Sequence, residues 1–253
     1  MYEPIRSLGQ NFLIKASIAD LMVRALDVGR DEDIIEVGPG HGILTEALLH
    51  RVSDTDSKVF AVEVDERFAA KLLGMYVYEK NVQIIHADIL KWLPTFEPTR
   101  KTKVFGSLPY YITSPILHTV IKMKKMPDLA VFLIQKEVAE KICSDAPDSS
   151  YLSAFIQTFY TTEHMFNVPK MEFSPSPKVD GAVIKLTLKN TVMDLDTIEK
   201  YEGFLHKAFS SPRKMLNKPF TEVELAKGGI EARLRPQNLS AEQWLEFFKV
   251  LHP

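Results

Sequence analysis

The fold is decided by the stretch Asp33–Gly42, DIIEVGPGHG, in which a short apolar run leads into a turn containing three glycines. The residues after it, Ile43 to His50, predict a helix, so the turn joins a strand to a helix. Glycine allows positive φ and a close approach of the backbone to a ligand. The spacing is G-x-G-x-G with Glu36 in front, rather than the G-x-G-x-x-G of dinucleotide-binding proteins.

Strands and helices alternate around this turn. Further strands are predicted at 58–64, 82–86, 103–106 and 129–134, and helices at 17–26, 66–76, 115–125 and 136–143, the first opened by a Ser17–Asp20 capping box. Such alternation predicts an α/β fold with a parallel, doubly wound, Rossmann-like sheet. Ligands of these sheets bind at the carboxyl ends of the strands. Gly38, Glu63, Asp88 and Ser107 all fall at those ends.

Two of these residues suggest contacts to a nucleoside. Glu63 ends the second strand, where its carboxylate can accept hydrogen bonds from both ribose hydroxyls. This acid is common to NAD and S-adenosylmethionine sites and does not separate them. Asp88 ends the third strand, where it can accept a hydrogen bond from an adenine amino group. The alternative interpretation of Asp88 is an N-cap for the helix that begins at Ile89.

The stretch Ser107–Tyr110, SLPY, predicts a site for a second substrate. An aromatic amine is a poor nucleophile, and acceptors such as the Ser107 hydroxyl and the Leu108 carbonyl can draw its nitrogen toward tetrahedral geometry. Pro109 stiffens the loop, and Tyr110 stacks on the target base in this interpretation, with Phe173 on the other face. Alternatively, Tyr110 and Tyr111 are two half-buried aromatics on a turn.

The remainder of the chain changes character after Lys189. Two strands are predicted at 163–168 and 182–188, separated by a proline-rich segment, and helices at 197–209, 212–217 and 241–251. We therefore predict a donor-binding domain over 1–189 and a small helical domain over 190–253.

Composition limits the function classes. The chain has 253 residues, a net charge of −2 and one cysteine, Cys143, which excludes an internal disulfide and a cysteine-cluster zinc site. We expect Cys143 in the core. Apolar runs are too short to cross a membrane, and the histidines and acids show no ligand spacing, so no membrane and no metal are predicted. A cytoplasmic monomer is the expectation.

Bulk charge does not indicate a nucleic-acid partner, but two lysine- and arginine-rich clusters do so locally. One is Lys122, Lys124 and Lys125; the other is Lys207, Arg213, Lys214 and Lys218. Each cluster is also compatible with an ordinary solvated helix face.

Five ordered segments resemble the KsgA-type ribosomal RNA adenine dimethyltransferases, which are related to the erythromycin-resistance methyltransferases. The segments cover almost the whole chain: LGQNFL at 8–13, IEVGPG at 35–40, QKEVA at 135–139, FSPSPKVD at 173–180 and FSSPRK at 209–214. The resemblance implies transfer of four methyl groups from S-adenosylmethionine to N6 of two adjacent adenosines near the 3′ end of small-subunit rRNA, in a pre-ribosomal particle during ribosome biogenesis.

Residue roles carry over by motif from that family. The implied donor-binding residues are Gln10, Asn11, Leu13, Gly38, Gly40, Glu63, Val64, Asp88, Ile89 and Ser107. The implied catalytic and target-base residues are Ser107, Leu108, Pro109, Tyr110 and Phe173. The implied RNA-binding residues are Lys122, Lys124, Lys125, Lys207, Arg213 and Lys214.

The chain departs from the family pattern at Ser107, where asparagine is usual, and at Pro212, where a charged or polar residue is usual. Serine keeps an acceptor oxygen but lacks the amide donors. It fits either a natural variant or a substitution that weakens catalysis. Three other functions stay open: an assembly factor with little catalysis, a large-subunit adenine methyltransferase, and, least favoured, a NAD-dependent oxidoreductase.

Overall fold

The structure, a computed structural model, describes residues 10–253, and of Tyr110 it describes the backbone alone. Leu8 and Gly9 of the N-terminal motif lie outside the described residues. The described chain clusters into two compact units. The first contains the residues up to Ala139 together with Glu163–Leu188, and the second contains Glu140–Thr162 and Lys189–Pro253.

The described residues form nine strands, which mostly follow apolar runs of the sequence. They are β1 (Phe12–Leu13), β2 (Glu32–Val37), β3 (Lys58–Glu63), β4 (Val82–His86), β5 (Lys101–Ser107), β6 (Leu129–Gln135), β7 (Tyr160–Val168), β8 (Phe173–Ser174) and β9 (Gly181–Leu188).

Helices connect the strands and dominate the second unit. They are α1 (Ala16–Leu26), α2 (Ile43–Val52), α3 (Glu66–Met75), α4 (Ile89–Trp92), α5 (Thr113–Ile121), α6 (Lys136–Ile142), α7 (Tyr151–Phe159), α8 (Leu195–Phe209), α9 (Glu222–Lys227) and α10 (Ala241–Leu251).

Seven strands form one sheet in the order β4-β3-β2-β5-β6-β9-β7. The pairs β4/β3, β3/β2, β2/β5 and β5/β6 are parallel, whereas β6 and β9 are antiparallel. The strand order reverses at β2, because β3 lies on one side of it and β5 on the other. This switch point is where an open α/β sheet leaves a crevice for ligands. The Rossmann-like fold class is therefore confirmed, with an antiparallel strand that the parallel interpretation did not include.

The two central strands are buried on both faces, as expected for parallel strands covered by helices. Ile34, Ile35, Val104 and Phe105 are wholly buried. Burying each such side chain stabilises the fold by roughly 1.5–3 kcal/mol relative to leaving it exposed to water. This core fixes the positions of the strand ends, where the polar residues lie.

The β1 and β8 strands form a separate two-stranded ribbon. Phe12 pairs with Ser174 and Leu13 with Phe173 in antiparallel register. The ribbon thus joins the N-terminal segment to a segment about 160 residues later, and it carries residues of two predicted motifs.

Two local predictions are wrong. Helix α1 begins at Ala16 after Lys15, with no side-chain cap, so Ser17 lies inside the helix and forms no capping box. Residues 212–217 form turns rather than a helix, and the Leu216 N–H donates to the Leu234 carbonyl at 2.7 Å rather than to a carbonyl of its own segment. Leu216 is fully buried, so tertiary packing decides this segment.

Two helices were not predicted, α7 and α9. Both begin with a capping box, formed by Ser150 with Ser153 and by Thr221 with Glu224. The Thr221–Glu224 pattern was a recognisable signal in the sequence. In the second unit α7 packs with α8 and α10, and the Thr158 and Tyr201 hydroxyl groups lie 2.9 Å apart in its interior.

Candidate active site

The glycine turn after β2 runs from Gly38 to Gly42, and it leads directly into α2. The Gly38 N–H donates to the Val62 carbonyl at 2.9 Å, which anchors the start of the turn to β3. Gly40 has φ +56°, and a Cβ there would lie 2.9 Å from the ring of Phe12. Both the left-handed conformation and this close approach require glycine at position 40.

Phe12 covers the turn as part of an aromatic group that the sequence did not reveal. Its ring centroid lies 4.4 Å from that of His41 and 5.1 Å from that of Phe68. Burial, and then the charge of Lys71, lowers the pKa of His41. The N-terminal segment is therefore held against the turn by a neutral, largely apolar contact.

Glu63 ends β3 beside the turn, and it is buried. One carboxylate oxygen accepts a hydrogen bond from the Gly40 N–H and the other from the Asp65 N–H, both at 2.9 Å. Burial raises the pKa of Glu63. Each oxygen has a second lone pair, so the carboxylate retains acceptor capacity for a ligand hydroxyl.

Asp65, two residues later, caps α3 and holds the N-terminal segment. Its carboxylate pairs with Arg67 at 2.7 Å and accepts a hydrogen bond from Gln10 Nε2 at 3.0 Å. Mainly through the hydrogen bonds of Arg67, the pKa of Asp65 falls to about 2. The carboxylate is thus charged at neutral pH, and it fixes Gln10 across 55 residues of sequence.

Asp88 forms the N-cap that the alternative interpretation expected, and its contact with an adenine amino group stays a prediction. Its Oδ1 accepts a hydrogen bond from the Leu90 N–H at 3.0 Å as the N-cap of α4. The residue also lines the same cavity as Gly38 and Glu63. Capping fixes the carboxylate, and a fixed carboxylate is suited to accept from an amino group.

Glu36 lies beneath the turn and is fully buried. Its Oε2 accepts a hydrogen bond from the Thr45 hydroxyl at 2.7 Å, whereas Oε1 has no hydrogen-bond partner among residues 10–253. Burial, with a further contribution from the Glu63 charge, raises the pKa of Glu36 to about 8.

The loop after β5 is fixed by backbone contacts to its neighbours. A Cβ on Gly106 would lie 2.5 Å from the Val37 carbonyl, so β5 approaches β2 closely just before Ser107. The Leu108 N–H donates to the Leu133 carbonyl at 2.9 Å, and the Thr113 hydroxyl donates to the Pro109 carbonyl at 3.2 Å. Ser107 is therefore presented on a rigid strand end.

Aromatic residues border this loop. Phe173 on β8 is buried, and a Cβ built on Gly181 would lie 3.3 Å from the tip of its ring. Tyr110 begins a single 3-10 turn, and its side chain is outside what the structure describes. Tyr111, which the sequence left without a role, is about half exposed and lines the cavity.

One cavity of about 410 Å³ connects these parts. Every predicted donor-binding residue contributes to its wall, as do Ser107, Leu108, Pro109 and Phe173. At Gly38 a Cβ would meet nothing within 4 Å, so the backbone is open toward a ligand there. A cavity with a glycine turn, two fixed carboxylates and an apolar wall fits an adenine nucleoside with a charged tail.

The predicted RNA-binding residues lie in both units. Lys124 pairs with Glu97 on the surface, and Lys125 is exposed; Lys122 follows α5. In the second unit the Lys207 ammonium lies 4.6 Å from the Phe220 ring centroid and 3.8 Å from Glu224. Arg213 and Lys214 are exposed on the turns after α8.

Residues 10–253 lack both a metal-binding cluster and a membrane-spanning helix. They contain no group of three or more histidine, cysteine, aspartate or glutamate side chains arranged to hold a metal ion. In the same range no helix has the length and apolar character to cross a membrane. Cys143 is partly buried, rather than in the core as expected.

Two relatives are similar to the chain over nearly its full length. A ribosomal RNA small subunit methyltransferase A of Sulfurihydrogenibium sp. is 33% identical, with 98% of this chain and 96% of the relative covered. Its counterpart in Levilactobacillus brevis is 35% identical, with coverage of 98% and 90%.

Solved structures agree with the fold. The 23S rRNA methyltransferase ErmE superposes with a TM-score of 0.74 at 25% identity, covering 96% of this chain and 100% of that one. A dimethyladenosine transferase from Plasmodium falciparum superposes with a TM-score of 0.78 at 23% identity, covering 93% and 95%. A sequence profile described as ribosomal RNA adenine dimethylase matches residues 4–252. The chain belongs to the ribosomal RNA adenine dimethylase family.

Proposed function

We propose that this S-adenosylmethionine-dependent methyltransferase dimethylates N6 of two adjacent adenosines near the 3′ end of small-subunit rRNA, within a pre-ribosomal particle in the cytoplasm. The observation that carries the proposal is the single cavity whose wall contains both the glycine turn with Glu63 and Asp88 and the Ser107 loop with Phe173. A donor and an acceptor base held in one cavity can react directly.

In the donor half, the glycine turn would hold the methionine part, Glu63 would accept from the ribose hydroxyls and Asp88 would accept from the adenine amino group. S-adenosylmethionine supplies the activated methyl group. Gln10, Asn11 and Leu13 close this half, since the Gln10–Asp65 hydrogen bond and the Phe12 contact fix their segment. Val64 and Ile89 line the cavity next to the two acids and would contact the adenosine part.

In the acceptor half, the adenine amino group donates to the Ser107 hydroxyl and to the Leu108 carbonyl. These acceptors orient the nitrogen lone pair toward the methyl group, and positioning supplies most of the rate effect. Pro109 fixes the loop, and Tyr110 and Phe173 hold the base from its two faces. Stacking of this kind contributes roughly 1–3 kcal/mol per base, which offsets the cost of extruding the base.

We infer that residues 190–253 act as an RNA- and ribosome-recognition domain on a monomeric enzyme. The exposure of Arg213, Lys214 and Lys207 supports this inference, because lysine and arginine side chains neutralise phosphates. Lys122, Lys124 and Lys125 add a cluster in the donor-binding domain, over 1–189.

The second candidate function is an assembly factor with little catalysis, and Ser107 is the observation that favours it. A poorly met hydrogen bond to the target amine costs about 1–3 kcal/mol, or roughly 10- to 100-fold in rate. The protein would then still bind the pre-ribosomal particle although most of its methyl-transfer activity is lost.

The test is methyl transfer from labelled S-adenosylmethionine to unmethylated small subunits, comparing the protein with Ser107→Asn and with Ser107→Ala as the variant without an acceptor. We expect N6,N6-dimethyladenosine by mass spectrometry, a higher kcat for Ser107→Asn and at least a tenfold lower kcat for Ser107→Ala. Activity in the asparagine variant alone establishes the assembly factor. Labelling of large-subunit RNA instead overturns the proposed substrate.

A further inference from the structure

The outer end of the β1–β8 ribbon carries two large apolar side chains in solvent. Ile14 is 57% exposed and Met171 is 73% exposed. They lie at the same end of the ribbon, because the Ile14 N–H donates to the Glu172 carbonyl at 2.9 Å. We call Ile14 and Met171 the ribbon rim.

The ribbon rim continues the wall of the cavity. Leu13, next to Ile14, and Phe173, two residues after Met171, pair with each other in the ribbon and are buried in the cavity wall. Successive side chains of an extended segment point to opposite faces. Leu13 therefore faces the cavity and Ile14 faces out. The ribbon thus has exposed apolar side chains one and two residues away from two residues of the cavity wall, Leu13 and Phe173.

Positive charge surrounds the ribbon rim. Lys15, Lys170 and Lys178 are exposed there. The acids of the same segment are Glu172, which is partly buried, and Asp180, whose Oδ1 accepts a hydrogen bond from the Lys170 N–H at 2.9 Å. Three lysines against two acids leave these segments with a net charge of +1, which favours an anionic partner.

An apolar contact flanked by lysines at the edge of a base-binding cavity matches an unpaired nucleotide, whose base is flat and apolar on its faces and whose phosphate is anionic. We propose that the ribbon rim holds the nucleotide adjacent to the target adenosine, and so determines which of two neighbouring adenosines enters the cavity. This inference rests on the proposed function, because that substrate contains two adjacent target adenosines.

The first experiment measures methyl transfer to immature small subunits by Ile14→Ser and Met171→Ser. Matched controls are Leu73→Ser and Val192→Ser, which remove exposed apolar side chains (53% and 94% exposed) elsewhere on the surface. We expect kcat/KM for the particle to fall about tenfold in the rim variants, equivalent to about 1.4 kcal/mol. The ratio of methylation at the two adenosines should also change.

Affinity for S-adenosylhomocysteine and the thermal midpoint should stay unchanged in the rim variants, since neither side chain lies in the donor half. An unchanged kcat/KM together with an unchanged ratio would overturn the inference. If the unsubstituted enzyme methylates no adenosine, the proposed function is wrong. If it methylates the adenosines and the rim variants behave like it, only the inference about the ribbon rim is wrong.

The second experiment places a photoreactive benzoylphenylalanine at position 171 and identifies what it cross-links in the particle. Cross-links to rRNA within a few nucleotides of the methylated adenosines support the inference. Cross-links to a ribosomal protein, or to rRNA distant from those adenosines, overturn it.

Discussion

Strand β2 carries a buried glutamate near each end, and the two carboxyl groups have opposite environments. Glu32, at the amino end, accepts a hydrogen bond from the Gly29 N–H at 2.7 Å and pairs with Lys103 at 2.9 Å. The Lys103 ammonium also donates to the Asp27 carbonyl. Glu36, at the carboxyl end, has one hydrogen bond to Thr45 and an Oε1 atom without a partner among the described residues.

The difference separates two uses of buried polar groups. At the amino end the protein supplies the partners of Glu32 and Lys103, so these groups fix the starts of β2 and β5. At the carboxyl end the carboxylates of Glu63 and Asp88 are fixed but retain acceptor capacity, beside a cavity. A buried group left incompletely paired costs free energy, which proteins tolerate mainly where a ligand or a reaction uses the site.

The largest expected effect is at the amino end. Lys103→Met leaves the Glu32 carboxylate buried without its cation, and breaking such a pair costs about 3–5 kcal/mol in the free energy of unfolding. Urea denaturation followed by circular dichroism measures the loss. Lys101→Met, on the same strand but exposed, is the matched control and should change stability little.

The folded Lys103→Met enzyme should bind S-adenosylhomocysteine as the unsubstituted protein does, because the substitution lies at the opposite strand end from the cavity. A change in that affinity without a change in stability would show that the two ends of β2 do not have separate roles.

The next effect is the pH dependence of stability, which Glu36 should control. Its pKa is about 8 in the folded protein against an ordinary value of 4.5, so the folded state binds more protons than the unfolded state between these values. Stability should therefore fall as the pH rises from about 4.5 to about 8, by up to about 1.4 kcal/mol per pH unit.

Glu36→Gln removes the titrating carboxyl group while keeping its shape. The free energy of unfolding should therefore depend less on pH between about 4.5 and about 8. Glu63, whose pKa is also raised, stays in both proteins and accounts for the remaining slope. An identical slope in both proteins would show that Glu36 is ionised at neutral pH.

The smallest expected effect concerns the hydrogen bond between Gln10 and Asp65. Gln10→Ala releases the N-terminal segment from the carboxylate without disturbing the cap of α3, and the dissociation constant of S-adenosylhomocysteine should rise about tenfold, or about 1.4 kcal/mol. Isothermal calorimetry measures it. Arg67→Ala removes the other partner of Asp65 and serves as the control, with little expected change in donor affinity.

The thermal midpoint should move little in Gln10→Ala, because the contact is only partly buried. A large fall in the midpoint with unchanged donor affinity would show that this hydrogen bond stabilises the fold, like those of Glu32, and does not contribute to donor binding.

The ends of the parallel strands, and the polar residues at those ends, were predictable from local sequence patterns. The glycine turn, Glu63, Asp88 and Ser107 follow apolar runs, and parallel strands bring their carboxyl ends together whatever the details of packing. Local patterns are sufficient for this because apolar periodicity and glycine are properties of a few neighbouring residues. The ordered motifs also indicated the family.

Contacts between residues that are distant along the chain were visible only in the tertiary structure. Gln10 reaches Asp65, Lys103 reaches Asp27 and Glu32, and the β1–β8 ribbon pairs Leu13 with Phe173. The turns at 212–217 form because Leu216 is buried and bonded to Leu234. Such contacts depend on how the whole core packs, and a window of local sequence contains no information about a partner that is distant along the chain.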